Sequence, residues 1–332
     1  MAAGARAGAL FKSGAALEAL ARAQIFVFDK TGTLTEGRMK LVQMVVLQGS
    51  EAEARALAAG IERYSEHPIA QAIARSWDGP TPEVSQIQAV RGHGVVGVLA
   101  DGRQVWVGNR RLLGSLGVTL PLEVERRLQA MEQQGLTTAV LGSNQQPIAL
   151  LGVADTPRPE AAQAIAKLKR QGARVIMLTG DRKAVAEHIA AQVGISEVYA
   201  ELLPEDKLEH IQQLRQEGTV VMVGDGLNDA PALNAADVGV SMAAGADVSL
   251  ESADLVLMKN DLNRLVGARQ LARATARTVY FNLSFALGVI VVVGAFALAG
   301  QVPLPLGVVA HEGGTVFVVL VGLRLLAHRL DS

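Results

Sequence analysis

"IFVFDKTGTLTEG", Ile25 to Gly37, is the stretch from which the rest of the chain can be read. Four apolar residues of strand type run into Asp29, and a turn rich in threonine and glycine follows. A short apolar run closed by turn residues predicts a buried strand. The same form returns at "ARVIMLTGD" (Ala173–Asp181) and "TVVMVGDG" (Thr219–Gly226), each ending in an acid or hydroxyl beside a glycine. Helical stretches lie between, at Pro159–Gln171, Lys183–Val193 and Glu205–Gln216. Strands alternating with helices imply βαβ units and a parallel sheet. Ligands of such sheets bind beyond the carboxyl ends of the strands, so Asp29, Thr179 and Asp225 are expected on one rim.

Between Lys40 and Gly152 the pattern changes. "MKLVQMVVLQG" reads as a strand and Glu51–Trp77 as helices. "EVSQIQAVRGHGVVGVLADGRQVWVGN" reads as strands joined by hairpin turns, "ADGR" among them, and "TTAVLGSNQQPIALLGVAD" as a further hairpin. An inserted α+β domain therefore splits the sheet domain in two.

The 332 residues carry a formal charge of −1, so no basic nucleic-acid surface is implied and no nucleic-acid partner is expected. There is no cysteine, which excludes a disulfide framework, a thiolate metal site and a thiol redox motif. The opening "MAAGARAGALFKSGAALEAL" lacks the apolar core of a secretory signal and reads as an amphipathic helix leading into the first strand. Near the C-terminus the apolar content rises. Tyr280–Gly300 has no charged residue over roughly the 20 positions a spanning helix needs. Pro303–Leu326 is interrupted only by His311, Glu312 and Arg324. Arg264, Arg269, Arg273 and Arg277 precede the first segment, and Arg324 and Arg329 close the second. By the positive-inside rule both outer ends face the cytoplasm. A transmembrane hairpin over 278–300 and 303–326 is expected, with lipid as a partner and the folded domains cytoplasmic.

The motifs carry a specific chemistry. Asp29 at a strand end, followed by Thr31, Gly32 and Thr33, fits a carboxylate nucleophile for phosphoryl transfer, with backbone amides and the Thr33 hydroxyl cradling phosphate oxygens. "GDGLNDAPAL" supplies Asp225 and Asp229, hard oxygen ligands suited to Mg²⁺. "TGD" offers Thr179 as a phosphate-oxygen donor, and "PEDK" offers Lys207 at a helix start as the neutralising cation. "TGD" alone is usually a turn and "PEDK" alone a helix N-terminus; the order and placement of the set give it meaning.

In that order, "DKTGTLTEG", "TGD", "PEDK" and "GDGLNDAPAL" resemble the phosphorylation domain of P-type ATPases, and the resemblance extends over essentially the whole chain. It implies an α/β, haloacid-dehalogenase-like Rossmann-type phosphorylation domain over 21–38 and 153–265. An α+β nucleotide-binding domain would be inserted at 39–152, the two-helix membrane hairpin would follow, and a linker helix over 1–20 would precede. Asp29 would be phosphorylated by ATP, with Thr31, Thr33, Thr179, Asp181, Lys207 and Asn228 at the catalytic site. Asp29, Thr31, Asp225 and Asp229 would hold Mg²⁺. "ERYSEHPIAQAI" resembles the Ser-Glu-His-Pro motif of the heavy-metal branch, which places Glu62, His67 and Pro68 on the nucleotide. "RGHGVVG" resembles that branch's Gly-x-Gly loop and adds Gly92 and Gly94, while "VGN" adds Gly108 and Asn109.

"HEGGT" in the last apolar segment resembles the signature of the cobalt-type subclass. His311, Glu312 and Thr315 supply imidazole, carboxylate and hydroxyl at helical spacings of three and four. Nitrogen and oxygen donors without thiolate suit Co²⁺, Zn²⁺, Ni²⁺ or Fe²⁺ rather than Cu⁺. Asn282 and Ser284 are weaker candidates, for which packing is the favoured reading. A whole pump of this kind also has earlier spans and an actuator domain, absent from this sequence, so an N-terminal half is expected as partner. Many phosphatases of the fold carry a second Asp two residues after the nucleophile; here that position is Thr31. The alternatives are a membrane-tethered phosphatase and an inactive nucleotide-binding fragment.

Overall fold

The computed structural model describes residues 4–5, 8–225, 229–242, 253–299 and 304–324, without the side chains of 304–308, 310 and 311. The chain divides into two compact units, Met1–Thr33 with Pro159–Gly180 and Gly194–Ser332, and Leu34–Arg158 with Asp181–Val193.

The first unit holds a seven-stranded sheet. Its order is Ala9–Phe11, Leu255–Leu257, Val238–Met242, Val220–Gly224, Ile25–Asp29, Arg174–Leu178 and Glu197–Tyr199. All neighbours are parallel except the first pair. Ile25–Asp29 and Val220–Gly224 are buried at every position, which is why both read as unbroken apolar runs rather than alternating ones. Asp29 lies opposite Leu178, and Val223 opposite Phe28, so Thr179 and Asp225 both follow strand ends at the same edge as Asp29. The sheet order turns back at Ile25–Asp29, the switch point where such sheets open a crevice.

The N-terminus corrects one expectation. Residues 1–20 are not one linker helix: Ala9–Phe11 pairs antiparallel with Leu255–Leu257, and the helix runs over Gly14–Arg22. Ser13 starts that helix by accepting from the Ala16 amide at 3.1 Å. A three-residue edge strand whose partner lies some 250 positions away leaves no periodicity to read.

The second unit carries a six-stranded antiparallel sheet. Its order is Thr35–Val46, Gln146–Pro157, Thr137–Ser143, Gln104–Gly108, Gly94–Leu99 and Val84–Val90. Successive residues serve opposite faces. Val105 and Val107 join Ile61 and Ile73 in one cluster, while Trp106 joins Leu112 and Leu128 in another. Helix Glu51–Glu62 opens with a capping box between Ser50 and Glu53.

The first strand of this sheet begins at Thr35, inside "TLTEG", and pairs there with Pro157. The units therefore meet in sequence at Thr33/Leu34 and Arg158/Pro159, several residues from the 38/39 and 152/153 boundaries expected from sequence. One carboxylate stitches these two chain ends: Thr35 Oγ1 donates to Asp155 Oδ2, and the Arg38 amide donates to Asp155 Oδ1 at 3.2 Å. Helix Lys183–Val193, encoded between two strands of the parallel sheet, groups with the second unit.

Helix Asn263–Leu298 has 36 residues, about 54 Å at the α-helical rise. Leu265, Ala268, Leu271 and Ala272 are buried in the first unit, whereas Tyr280, Leu283, Leu287 and Ile290 are exposed. Among the described residues it is the helix long and apolar enough to cross a membrane, and the expected 278–300 span is its outer part. The second expected span falls on helix Leu304–Leu323, whose apolar part over Glu312–Leu323 is shorter. Asn282 Nδ2 donates to the Val318 carbonyl at 3.2 Å, and the Phe285 and Phe317 rings lie 4.7 Å apart, so the two helices pack together.

Candidate phosphotransfer site

The carboxyl edge of the parallel sheet gathers most of the expected groups. Asp29 ends its strand and is 5 % exposed, Asp229 is 2 % exposed, and Thr33 and Thr179 are buried beside them in the fold. Lys207 sits in the first turn of helix Pro204–Glu217, which starts with Pro at N1. Its Nζ donates to Asp29 Oδ1 at 2.6 Å and to Asp229 Oδ1 at 2.8 Å. Asp225 approaches from the other side of the loop after Asp29: a Cβ on Gly32, whose φ is +74°, would lie 3.6 Å from Asp225 Oδ2. Gly224 is needed for the acid pair itself, since a Cβ there would come within 2.9 Å of Asp229 Oδ2.

The electrostatics follow from this crowding. Burial first, and then the Asp229 charge, push Asp29 up to about 7, against the opposing pull of Lys207. Asp229 is also raised by burial. Burial by itself would lower Lys207, but the two carboxylates outweigh it and hold the ammonium above its ordinary value. The raised Asp29 and Asp229, with the charge of Asp225 adding to both shifts, make a site that favours a bound cation. The donors that are present, the Asp29 and Asp229 carboxylates with Asp225 at the loop of Gly32, are hard oxygen ligands of the kind Mg²⁺ takes, so the donor set fits the ion.

Asp181 groups with the second unit, apart from Thr179 of the same "TGD". Asn228 lies outside the described residues, as does the His311 side chain. Glu312 and Thr315 are on helix Leu304–Leu323, one turn apart.

The second unit brings its predicted glycines together. Gly94 pairs with Gly108 across adjacent strands. A Cβ on Gly94 would strike the Val107 carbonyl oxygen at 2.2 Å, and φ there is +148°. Asn109 Nδ2 donates to the Gly92 carbonyl at 2.9 Å, while Asn109 Oδ1 caps helix Arg110–Ser115 by accepting from Arg111 and Leu112 amides. Gly92, Gly94, Gly108 and Asn109 thus form one connected loop.

His67 is the N-cap of helix Pro68–Ala74, and Pro68 takes the first helical position. Its Nδ1 accepts from the Ile69 amide at 3.3 Å. With Nδ1 so used, the neutral ring carries its hydrogen on Nε2 and offers a ligand a donor. Glu62 ends helix Glu51–Glu62, is 7 % exposed, and is pushed up to about 7 by burial. Ile61 and Ile73 share the buried cluster of Val95 and Val107, so these residues and the glycine loop hang on one core.

A family model described as haloacid dehalogenase-like hydrolase matches residues 23–237. The chain belongs to the haloacid dehalogenase-like hydrolases. Within this family its match is to the C-terminal portion of heavy-metal P-type ATPases. It is 39 % identical over 328 residues to a zinc-transporting ATPase of Bacillus subtilis (strain 168), covering 97 % of this chain and 51 % of that one. It is 43 % identical over 291 residues to a copper-transporting P-type ATPase of Rhizobium leguminosarum bv. viciae, covering 86 % and 34 %. The crystal structure of a zinc-transporting PIB-type ATPase in the E2.Pi state superposes with a TM-score of 0.91 at 38 % identity, over 98 % of this chain and 53 % of that one. This haloacid dehalogenase-like chain therefore spans about half the length, or less, of these relatives. Their names specify zinc and copper; the cobalt assignment has no support from them.

Proposed function

We propose that the chain is the catalytic portion of an ATP-driven exporter of a divalent transition metal, working through an aspartyl-phosphate on Asp29. The observation that carries this reading is the buried Asp29–Lys207–Asp229 constellation at the switch point of the sheet. The Asp29 carboxylate attacks the γ-phosphorus of ATP; a bond forms to its oxygen as the bond to the β–γ bridging oxygen breaks, and ADP leaves. Lys207 balances charge as the acyl phosphate forms, and Thr33 and Thr179 hold phosphoryl oxygens. Asp29, Thr31, Asp225 and Asp229 would hold Mg²⁺, which when bound supplies positive charge against the phosphate oxygens. Glu62, His67, Pro68 and the loop of Gly92, Gly94, Gly108 and Asn109 would bind the nucleotide, with His67 donating from Nε2.

The metal would be carried by His311, Glu312 and Thr315, and Co²⁺ is our first choice, with Zn²⁺, Ni²⁺ and Fe²⁺ next. These are cargo ligands on an apolar helix, where an ionisable side chain costs about 2.5–3.5 kcal/mol or more and needs a functional reason. The two apolar helices would span the plasma membrane with both folded units in the cytoplasm, in contact with lipid and with an N-terminal half that brings an actuator domain and earlier spans.

Thr31 stands where a phosphatase of the fold would carry its acid/base, so hydrolysis of the acyl phosphate by this chain alone should be slow. The direct test is ³²P transfer from Mg-ATP to the purified chain. A stable, acid-resistant label that Asp29→Asn removes is expected; rapid multiple turnover would overturn the reading. For the cargo, ATPase activity of the complete pump is compared across Co²⁺, Zn²⁺, Ni²⁺, Fe²⁺ and Cu⁺, and best activation by Cu⁺ would overturn the divalent assignment.

A further inference from the structure

Arg269 belongs to the row of arginines that reads in sequence as a charged flank of a membrane span, yet it is 1 % exposed. Its Nη2 donates to the Ala23 carbonyl at 2.8 Å. Its Nη1 reaches Gln171 Oε1 at 3.3 Å and the Leu168 carbonyl at 3.5 Å. The guanidinium carbon lies 4.7 Å from the centre of the Phe26 ring. One turn further along the helix, Arg273 donates to the Ala21 carbonyl at 3.4 Å and the Gln171 carbonyl at 3.3 Å. Among the described residues no carboxylate pairs with Arg269, and its Nε has no partner.

A buried cation without a counter-ion is costly, and an apolar side chain of the same volume would usually serve packing better. What holds it is unusual. Ala23 is the C-cap of helix Gly14–Arg22, and Leu168 and Gln171 close helix Ala161–Arg170. Arg269 therefore sits on the negative ends of two helix dipoles at once. The first helix leads directly into the strand of Asp29, and Phe26 is in that strand. The second leads into Arg174–Leu178, which pairs with it. Arg269 itself is on the helix that continues into the exposed apolar segment.

We propose that Arg269, seconded by Arg273, is a positioning residue that ties the Asp29 strand and its neighbour to the membrane-directed helix, so that acyl phosphate on Asp29 changes the setting of that helix. The proposal rests on the phosphorylation of Asp29 proposed above. Two helix ends and one ring gripped by a single side chain move as a unit; a hydrocarbon in its place would fill space without gripping.

The absence of cysteine makes the test clean. The full chain in lipid nanodiscs carries spin labels at Leu283→Cys, on the exposed apolar part of the helix, and at Glu209→Cys, on the surface of the sheet unit. Their separation is measured with Mg²⁺ alone and with Mg²⁺ and beryllium fluoride, an acyl-phosphate mimic, and ³²P labelling from ATP is measured alongside. In the parent, beryllium fluoride is expected to shift the distance distribution. In Arg269→Met the shift is lost while labelling of Asp29 continues, and Arg269→Lys restores part of it. If Arg269→Met does not fold, Arg273→Met, at a less buried position, is expected to reduce the shift. A full parental shift in either methionine variant, or no shift in a parent that labels normally, overturns the coupling while leaving the phosphorylation reading intact. A parent that takes no label overturns both.

Discussion

The two units handle polar groups in opposite ways. In the parallel-sheet unit, Asp29, Lys207 and Asp229 are buried together, and each raises the electrostatic cost of the others or relieves it. In the antiparallel unit, exposed His67 and half-buried Asn109 are held by ordinary helix capping. The difference teaches where chemistry is separated from recognition. On the proposed function, Asp29 reacts out of water with its partner already in place, so little reorganisation is left for the moment of reaction. On the same proposal, His67 and Asn109 bind from a cap and a glycine turn, where geometry is fixed at little expense, and Glu62 is the buried exception.

The sharpest break of this contrast is Asp29→Asn, which should abolish phosphate incorporation while leaving nucleotide binding to the second unit intact, as read by ³²P labelling and by calorimetry with ATP. Next is Lys207→Ala. It strips two buried carboxylates of their cation, and labelling should slow by about 10²–10³-fold, the range for removing one preorganised electrostatic group. An unchanged rate would mean that Lys207 only ties the apo fold together.

Gly94→Val tests the second unit, where a side chain would collide with the Val107 carbonyl at a backbone angle foreign to valine. Destabilisation of about 3 kcal/mol or more is expected, seen as a lowered melting transition of the antiparallel unit.

Glu62 gives a pH test. Burial raises its folded-state pKa from 4.5 to about 7, so the stability carried by its protonated form is complete below 4.5 and lost as pH rises through about 7. Glu62→Gln should therefore melt higher than the parent at pH 8, by up to about 3 kcal/mol, with the gap closing toward pH 4.5. The smallest effect belongs to His67→Ala, which removes one helix cap and one outward donor. ATP affinity should fall about ten-fold, corresponding to about 1.4 kcal/mol, without loss of the labelling maximum at saturating ATP.

Much of the first unit was legible because parallel strands buried on both faces leave continuous apolar runs, and the groups proposed to react stand at their ends. Asp29, Thr179 and Asp225 could be placed on one rim by that logic alone. Lys207 was legible as a cation at a helix start, but not as a bridge between Asp29 and Asp229, since such a bridge depends on two distant loops meeting. The start of the second sheet at Thr35 was hidden because Thr-Glu-Gly carries no alternation of its own; Pro157 and Asp155 across the sheet decide it. Arg269 was misread as a flanking charge. The one available signal was its spacing on the helix, where Leu265, Ala268 and Ala272 lie on the same buried stripe.

The pairing of Thr35 with Pro157 has an engineering consequence. Two cut points that lie side by side on neighbouring strands are the kind a short turn can bridge, which invites grafting the intervening segment elsewhere. The graft would not be clean. Helix Lys183–Val193 is left behind by a cut at 34 and 158, although it clusters with the segment removed. Val185 and His188 of that helix lie against Gly135 of the removed segment, so a transplant that carries its own copy of this helix should express better than one without it.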